Sequence, residues 1–182
     1  MNTRLDRAQA CVLVVDVQER LVPVMPAEVV ARLVKSVRAL AGAAREFGIP
    51  VLATEQYPKG LGPLIPEVRE VVGEVLAKVH FSCVADPEFA RALAATGRKQ
   101  VVVAGMETHV CVFQTVRDLV AGGYQVQVCA DAVASRSEEH RRVGLELCRE
   151  AGALVTTAET AIFDLLGQAG TPEFKRVAGL VK

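Results

Sequence analysis

Short apolar runs rich in β-branched residues alternate with helix-patterned stretches along this chain, and that alternation limits the possible folds more than any other feature. The runs are Cys11 to Val15, Ile49 to Thr54, Val75 to Lys78, Gln100 to Ala104, Tyr124 to Ala130 and Leu154 to Thr156. Most are apolar on both sides, as strands covered on both faces are. Between them, residues 27–47 place Val30, Leu33, Val34, Val37, Leu40 and Ala44 at helical spacing, and Gly48 ends the stretch. Asp86-Pro87 caps and opens a helix that closes at Gly97. A helix from about His109 to Val120 stops at Gly122-Gly123. Ser135 with Glu138, and Thr156 with Glu159, have capping-box spacing ahead of helices reaching Ala151 and Leu166, and Thr171-Pro172 starts a short last helix. Residues 55–66, with three prolines and two glycines, form a loop. Strands separated by helices predict an α/β fold: a three-layer α-β-α arrangement around a parallel sheet of about six strands. With no repeat or linker in 182 residues, we expect a single domain over 1–182.

Composition excludes several classes of function. Lys plus Arg and Asp plus Glu both number 21, so no basic field draws nucleic acid or an anionic membrane. Hydrophobic residues make up 51%, yet no apolar run reaches the ~18 residues a membrane helix needs. The excess predicts a large core plus a subunit interface, hence a homo-oligomer. The opening segment MNTRLDRAQACVLVVD lacks the pattern of a signal peptide, so a cytoplasmic location is expected. The five cysteines are odd in number and dispersed, against a disulfide framework, and Cys11, Cys129 and Cys148 sit in core patterns.

In parallel sheets ligands bind outside the carboxyl ends of the strands. The first strand ends at Asp16, the third at Lys78, and the turn after the fourth carries Cys111 into a helix. Taken singly, a cysteine is more often core, a strand-terminal Asp a turn former, and a strand-terminal Lys solvated. Together they offer a nucleophile, a base and a positive charge. A helix N-terminus and Lys78 would favour a Cys111 thiolate of depressed pKa, with Asp16 as proton carrier. Gln18, Glu55, Gln56, Tyr57 and Thr108 are placed at the pocket, with Phe81 as a stacking surface for a planar substrate. The pairs His80-x-x-Cys83 and His109-x-Cys111 are too sparse for a zinc site, and neither a Walker loop nor GxGxxG is present, so no metal and no cofactor are expected.

The blocks VVDVQ (14–18), LAKVHFS (76–82) and AGMETHVC (104–111) resemble the catalytic blocks of the isochorismatase-like cysteine hydrolases, which carry in order the Asp, the Lys and the Cys. TEQYPKGLGP (54–63), SRSEEHR (135–141) and PEFKRV point to the branch of isochorismatase-domain-containing proteins. The resemblance spans almost the whole chain. It implies a Rossmann-like strand order 3-2-1-4-5-6 and catalytic roles for Asp16, Lys78 and Cys111. It also implies a cis Met106–Glu107 peptide that turns the amides of Glu107 and Cys111 into an oxyanion hole. The implied reaction is hydrolysis of a small-molecule amide or ureide bond through a thioester. The segment 54–63 has no histidine, unlike the metal-binding block of nicotinamidases. Cys111, which some isochorismatases lack, separates the chain from vinyl-ether cleavage. A catalytically silent interaction protein and a redox-sensing thiol protein, with Cys83 resolving Cys111, are the competing readings.

Overall fold

Strand β1 (Ala10–Val15) is buried along its whole length in the computed structural model, which describes residues 3–182. Met1 and Asn2, the start of the segment read as lacking a leader, lie outside the described residues. Side chains alternate along a strand, so β1 feeds two cores at once. Ala10, Val12 and Val14 pack beneath α1 (Ala27–Glu46), α7 (Ala158–Leu166) and α8 (Pro172–Ala178). Cys11, Leu13 and Val15 pack on the other face beneath α4 (Pro87–Ala95), α5 (Phe113–Ala121) and α6 (Glu138–Glu150).

The remaining strands are β2 (Val51–Gln56), β3 (Glu74–Lys78), β4 (Gln100–Met106), β5 (Gln125–Ala134) and β6 (Leu154–Thr156). All pair in parallel, in the order β3-β2-β1-β4-β5-β6. This is the six-stranded three-layer arrangement expected from the sequence. The order reverses between β1 and β4, and in sheets of this kind that switch point is where ligands bind, beyond the strands' carboxyl ends. Asp16 follows β1 and Cys111 follows β4 at that switch point, while Lys78 ends β3 with only β2 between it and β1.

Gly105 makes the close approach of β1 and β4 possible. Its φ is +120°, and a Cβ there would lie 2.0 Å from the Val15 carbonyl oxygen.

Local boundaries differ from the sequence reading in several places. β5 runs on to Ala134, past the expected Ala130, because a register shift near Gly105 lets Val133 and Ala134 pair with Gly105 and Met106. Ser135 is thereby held beside the end of the strand, and Ser137 caps α6, accepting from the His140 amide at 3.1 Å. Thr157, not Thr156, caps α7, accepting from the Thr160 amide at 3.1 Å. The loop 55–66 contains a one-turn helix, α2 (Pro58–Leu61), and runs into a second, α3 (Pro66–Arg69), each begun by a proline whose fixed φ suits a first turn. Among the described residues no helix is long and apolar enough to cross a membrane.

Candidate active site

Asp16 leaves β1 with φ of +50°, a left-handed conformation uncommon for a residue with a side chain. Its amide donates to the Thr54 carbonyl at 3.1 Å, which ties the turn to β2. The carboxylate is fully buried and both oxygens are engaged. Oδ2 accepts from Lys78 Nζ at 2.7 Å, and Oδ1 accepts from Thr54 Oγ1 at 2.8 Å.

Lys78 is equally enclosed, and its ammonium has a partner for each proton. Besides Asp16 it donates to Gln56 Oε1 at 2.7 Å and to the carbonyls of His80 and Phe81, each at 3.2 Å. Gln18 sits behind this set. Its Oε1 accepts from the Gln56 amide at 2.8 Å, and its Nε2 donates to the carbonyls of Gln56 at 3.0 Å and Gly62 at 2.6 Å. Gln18, placed at the pocket by sequence reasoning, is therefore fully buried with its carboxamide consumed by backbone. Gln56 too is buried, and its amide bridges Lys78 to the Val79 carbonyl. Gln56 braces the lysine directly and Gln18 braces the Gln56 backbone, so the Gln18 carboxamide is spent within the protein. Alternation put Gln18 on the side of Asp16, but the positive φ at Asp16 ends the strand and removes that alternation.

Cys111 lies in a π-helical turn, Thr108–Val112, that precedes α5. The Met106–Glu107 peptide ahead of it is cis. Residues from the end of β5 and from α6 hold this turn. Thr108 is fully buried and donates its hydroxyl to the Ala134 carbonyl at 3.0 Å. His109 Nδ1 lies 3.1 Å from Ser135 Oγ, and its ring stacks on His140 at 4.5 Å between centroids. The Glu107 carboxylate accepts from the Arg136 amide and Nε at 3.2 and 3.1 Å. Gly144 of α6 packs directly on the backbone of Thr108 and His109. Met106 is wholly buried.

The thiol of Cys111 lies within electrostatic reach of the Asp16 carboxylate. Burial and the neighbouring carboxylate hold its pKa above the ordinary thiol value, and Lys78 offsets only part of that. This overturns the expectation of a resting thiolate. The ammonium that was to stabilise the thiolate is already paired with Asp16, and the turn is not the regular α-helical N-terminus the sequence suggested. Burial also opposes the charge on Lys78, but Asp16 and the two nearby thiols win, and its pKa is raised. The arrangement is a neutral thiol on an ion pair, ready to hand its proton to the carboxylate.

Of the other expected pocket residues, Tyr57 and Phe81 stand half exposed at the rim. The Glu55 carboxylate binds the Leu64 amide at 2.8 Å and so closes the loop. Sequence reasoning missed Thr54 and considered Cys83 only as a resolving thiol for Cys111 in the redox reading. Cys83 is fully buried, its sulfur is 3.6 Å from Thr54 Oγ1, and its amide donates to Thr115 Oγ1 of α5 at 2.9 Å. Burial and Asp16 push its pKa up to about 11. Thr54 was within reach of the strand-end rule, since it stands near the carboxyl end of β2, between the strands bearing Asp16 and Lys78. All five cysteines are free and buried.

Comparison with known proteins gives the family and the fold. The isochorismatase domain model matches residues 10–160. The secreted isochorismatase effector Isc1 of Phytophthora sojae is 40% identical over 150 residues, covering 79% of this chain and 71% of the relative. Isochorismatase domain-containing protein 1 of Danio rerio is 38% identical over 170 residues, 92% of this chain; the chain spans 59% of the length of that relative. Among solved structures, the MAR1 ribonuclease of Caenorhabditis elegans superposes with a TM-score of 0.90 at 35% identity, covering 98% of this chain and 92% of the other. The Escherichia coli YcaC product, described as an octameric hydrolase of unknown specificity, gives 0.90 at 27% identity, with coverage of 99% and 90%.

Proposed function

This chain belongs to the isochorismatase domain family, and on that premise we propose that it is a cysteine hydrolase of small-molecule amides or ureides, with Cys111 as nucleophile, Asp16 as proton carrier and Lys78 as fixed charge. The observation that carries the reading is the fully buried Asp16–Lys78 pair, 2.7 Å apart, with the buried Cys111 thiol close enough to feel both charges. A buried ion pair is seldom a net source of stability, so a chemical use accounts for it better.

The reaction follows from the proton positions. Cys111 sulfur attacks the carbonyl carbon while its proton passes to Asp16, and the carbonyl electrons move to oxygen. Backbone amides after the cis peptide, from Glu107 to Cys111, receive the oxyanion. Collapse breaks the C–N bond, and Asp16 gives its proton to the departing nitrogen. Water then attacks the thioester, loses a proton to Asp16, and the C–S bond breaks with that proton returning to sulfur. One water is consumed, and an amine or ammonia and a carboxylic acid leave. Lys78 holds the Asp16 carboxylate in place while it takes up and returns the proton.

We place this activity in a single domain, in the cytoplasm, in a homo-oligomer. The half-exposed Tyr57, Val79 and Phe81 beside the site offer an apolar surface for a second copy, and YcaC of E. coli is octameric. A neutral chain favours a small substrate over RNA, although a MAR1 ribonuclease is a structural neighbour. The test is a panel of primary amides and ureides, with a labelled RNA alongside, incubated with wild type and Cys111→Ala. Ammonia release that disappears in the variant supports the reading. RNA cleavage without ammonia release, or no turnover of any member, contradicts it.

A further inference from the structure

Thr54 has one hydroxyl proton, and its geometry fixes where that proton goes. Its Oγ1 lies 2.8 Å from Asp16 Oδ1 and 3.6 Å from Cys83 Sγ, with all three residues fully buried. An ionised carboxylate can only accept, so Thr54 donates to Asp16. The lone pairs of Oγ1 then face the Cys83 thiol, which donates to Thr54. Cys83 is itself anchored through its amide to Thr115 on α5, the helix entered from the Cys111 turn. A directed chain runs from Cys83 through Thr54 to Asp16. Lys78 holds Oδ2, so the two donors fix both carboxylate oxygens and set the plane in which Asp16 meets the Cys111 thiol.

We infer that Thr54 is a positioning residue for the Asp16 carboxylate, and that Cys83 acts as a hydrogen-bond donor to Thr54 rather than as a second nucleophile. The inference rests on the proposed hydrolase reading, because it assigns Thr54 to the step in which Asp16 takes and returns protons. Nothing in the fold requires a hydroxyl at this position. Val is nearly isosteric with Thr and would fill the same buried space, so the polar group serves the carboxylate.

The test uses p-nitrophenyl acetate, whose nitrophenolate burst reads acylation of Cys111 and whose steady state reads deacylation, the step in which Asp16 must activate water. Thr54→Val is expected to slow deacylation about tenfold, the worth of a hydrogen bond to a charged group, with burst amplitude and Tm little changed. Thr54→Ser, which keeps the hydroxyl, should stay near wild type. In an Asp16→Asn background Thr54→Val should add no further loss, since it acts through the carboxylate. Asp16→Glu, which keeps the charge but displaces it, serves if Asp16→Asn does not fold. Unchanged deacylation in Thr54→Val, or a loss that Thr54→Ser fails to rescue, overturns the inference alone. No burst in wild type, or full deacylation in folded Asp16 variants, overturns the hydrolase reading and the inference with it.

Discussion

Asp16 and Lys78 hold opposite charges 2.7 Å apart with both side chains shut off from solvent. Removing either partner therefore does two things at once. Asp16→Asn is expected to lower turnover by roughly 10² to 10⁴, the usual worth of a positioned acid–base group. It should also cost about 3–5 kcal/mol of stability, because an ammonium is left buried without its counter-charge. A solvent-reached Asp16, as strand-end position alone suggests, would have been harmless to the fold; the enclosure of the pair removes that tolerance. Lys78→Met should be destabilised to a similar degree, and the double variant should recover part of the loss, since it leaves no lone charge. Urea unfolding of the singles and the double checks this, and additive losses would show that the two charges do not act as a pair. The three residues proposed for the chemistry were legible in the sequence because each stands at a strand end or in the turn after one. Their protonation was not. It depends on how many donors reach Asp16 and on how the ammonium spends its three protons; Thr54 and Gln56 come from far along the chain, while the His80 and Phe81 carbonyls fold back from just after Lys78.

At the scale of elements, the turn that carries Cys111 is set by its neighbours more than by its own sequence. β5 runs past its expected end and delivers Ala134, Ser135 and Arg136 as partners for Thr108, His109 and Glu107. α6 then closes over the turn at Gly144, where a Cβ would lie 2.8 Å from the His109 amide nitrogen and from the Thr108 carbonyl carbon. Glycine to alanine inside a helix ordinarily stabilises by up to about 1 kcal/mol. Gly144→Ala should instead destabilise by roughly 1–3 kcal/mol, since the clash is with backbone that cannot rotate away. It should lower turnover as well, by displacing the Cys111 turn. A stabilised, fully active Gly144→Ala would show that α6 does not brace the site. The six strands and their helices could be read from apolar runs and caps, and the strand order came from family resemblance. The extension of β5 could not be read, because it arises from a register shift against β4 that leaves no local signal.

For the whole molecule, the buried thiols predict a pH dependence. Burial raises Cys11 and Cys148 to about 12 and Cys83 to about 11, from the ordinary thiol value of 9.0. A raised pKa means the folded state keeps its protons after the unfolded chain has lost them. The stabilisation is complete below pH 9.0 and is lost as pH rises from there through 11 and 12. Lys78, also raised, contributes with the same sign above its unfolded value. Thermal melts should thus show a Tm that falls steadily above pH 9, and Cys148→Ala should shrink the fall. The apolar half of the composition predicts a further property of the whole: light scattering at micromolar concentration should give a multiple of the 19.4 kDa chain. A monomer mass would leave Tyr57, Val79 and Phe81 exposed in solution, against the interface reading.

The central claim is that Cys111 rests as a thiol and surrenders its proton to Asp16 only as it attacks. The most direct test is the rate of Cys111 alkylation by iodoacetamide in the native wild-type protein, followed by peptide mapping from pH 6 to 10. The account predicts a rate that is slow at neutral pH, rises about tenfold per pH unit and is still climbing at pH 9, because burial and Asp16 hold the thiol above its ordinary value. A rate that reaches its plateau below pH 7 would mean a thiolate already formed beside Lys78, and would contradict it.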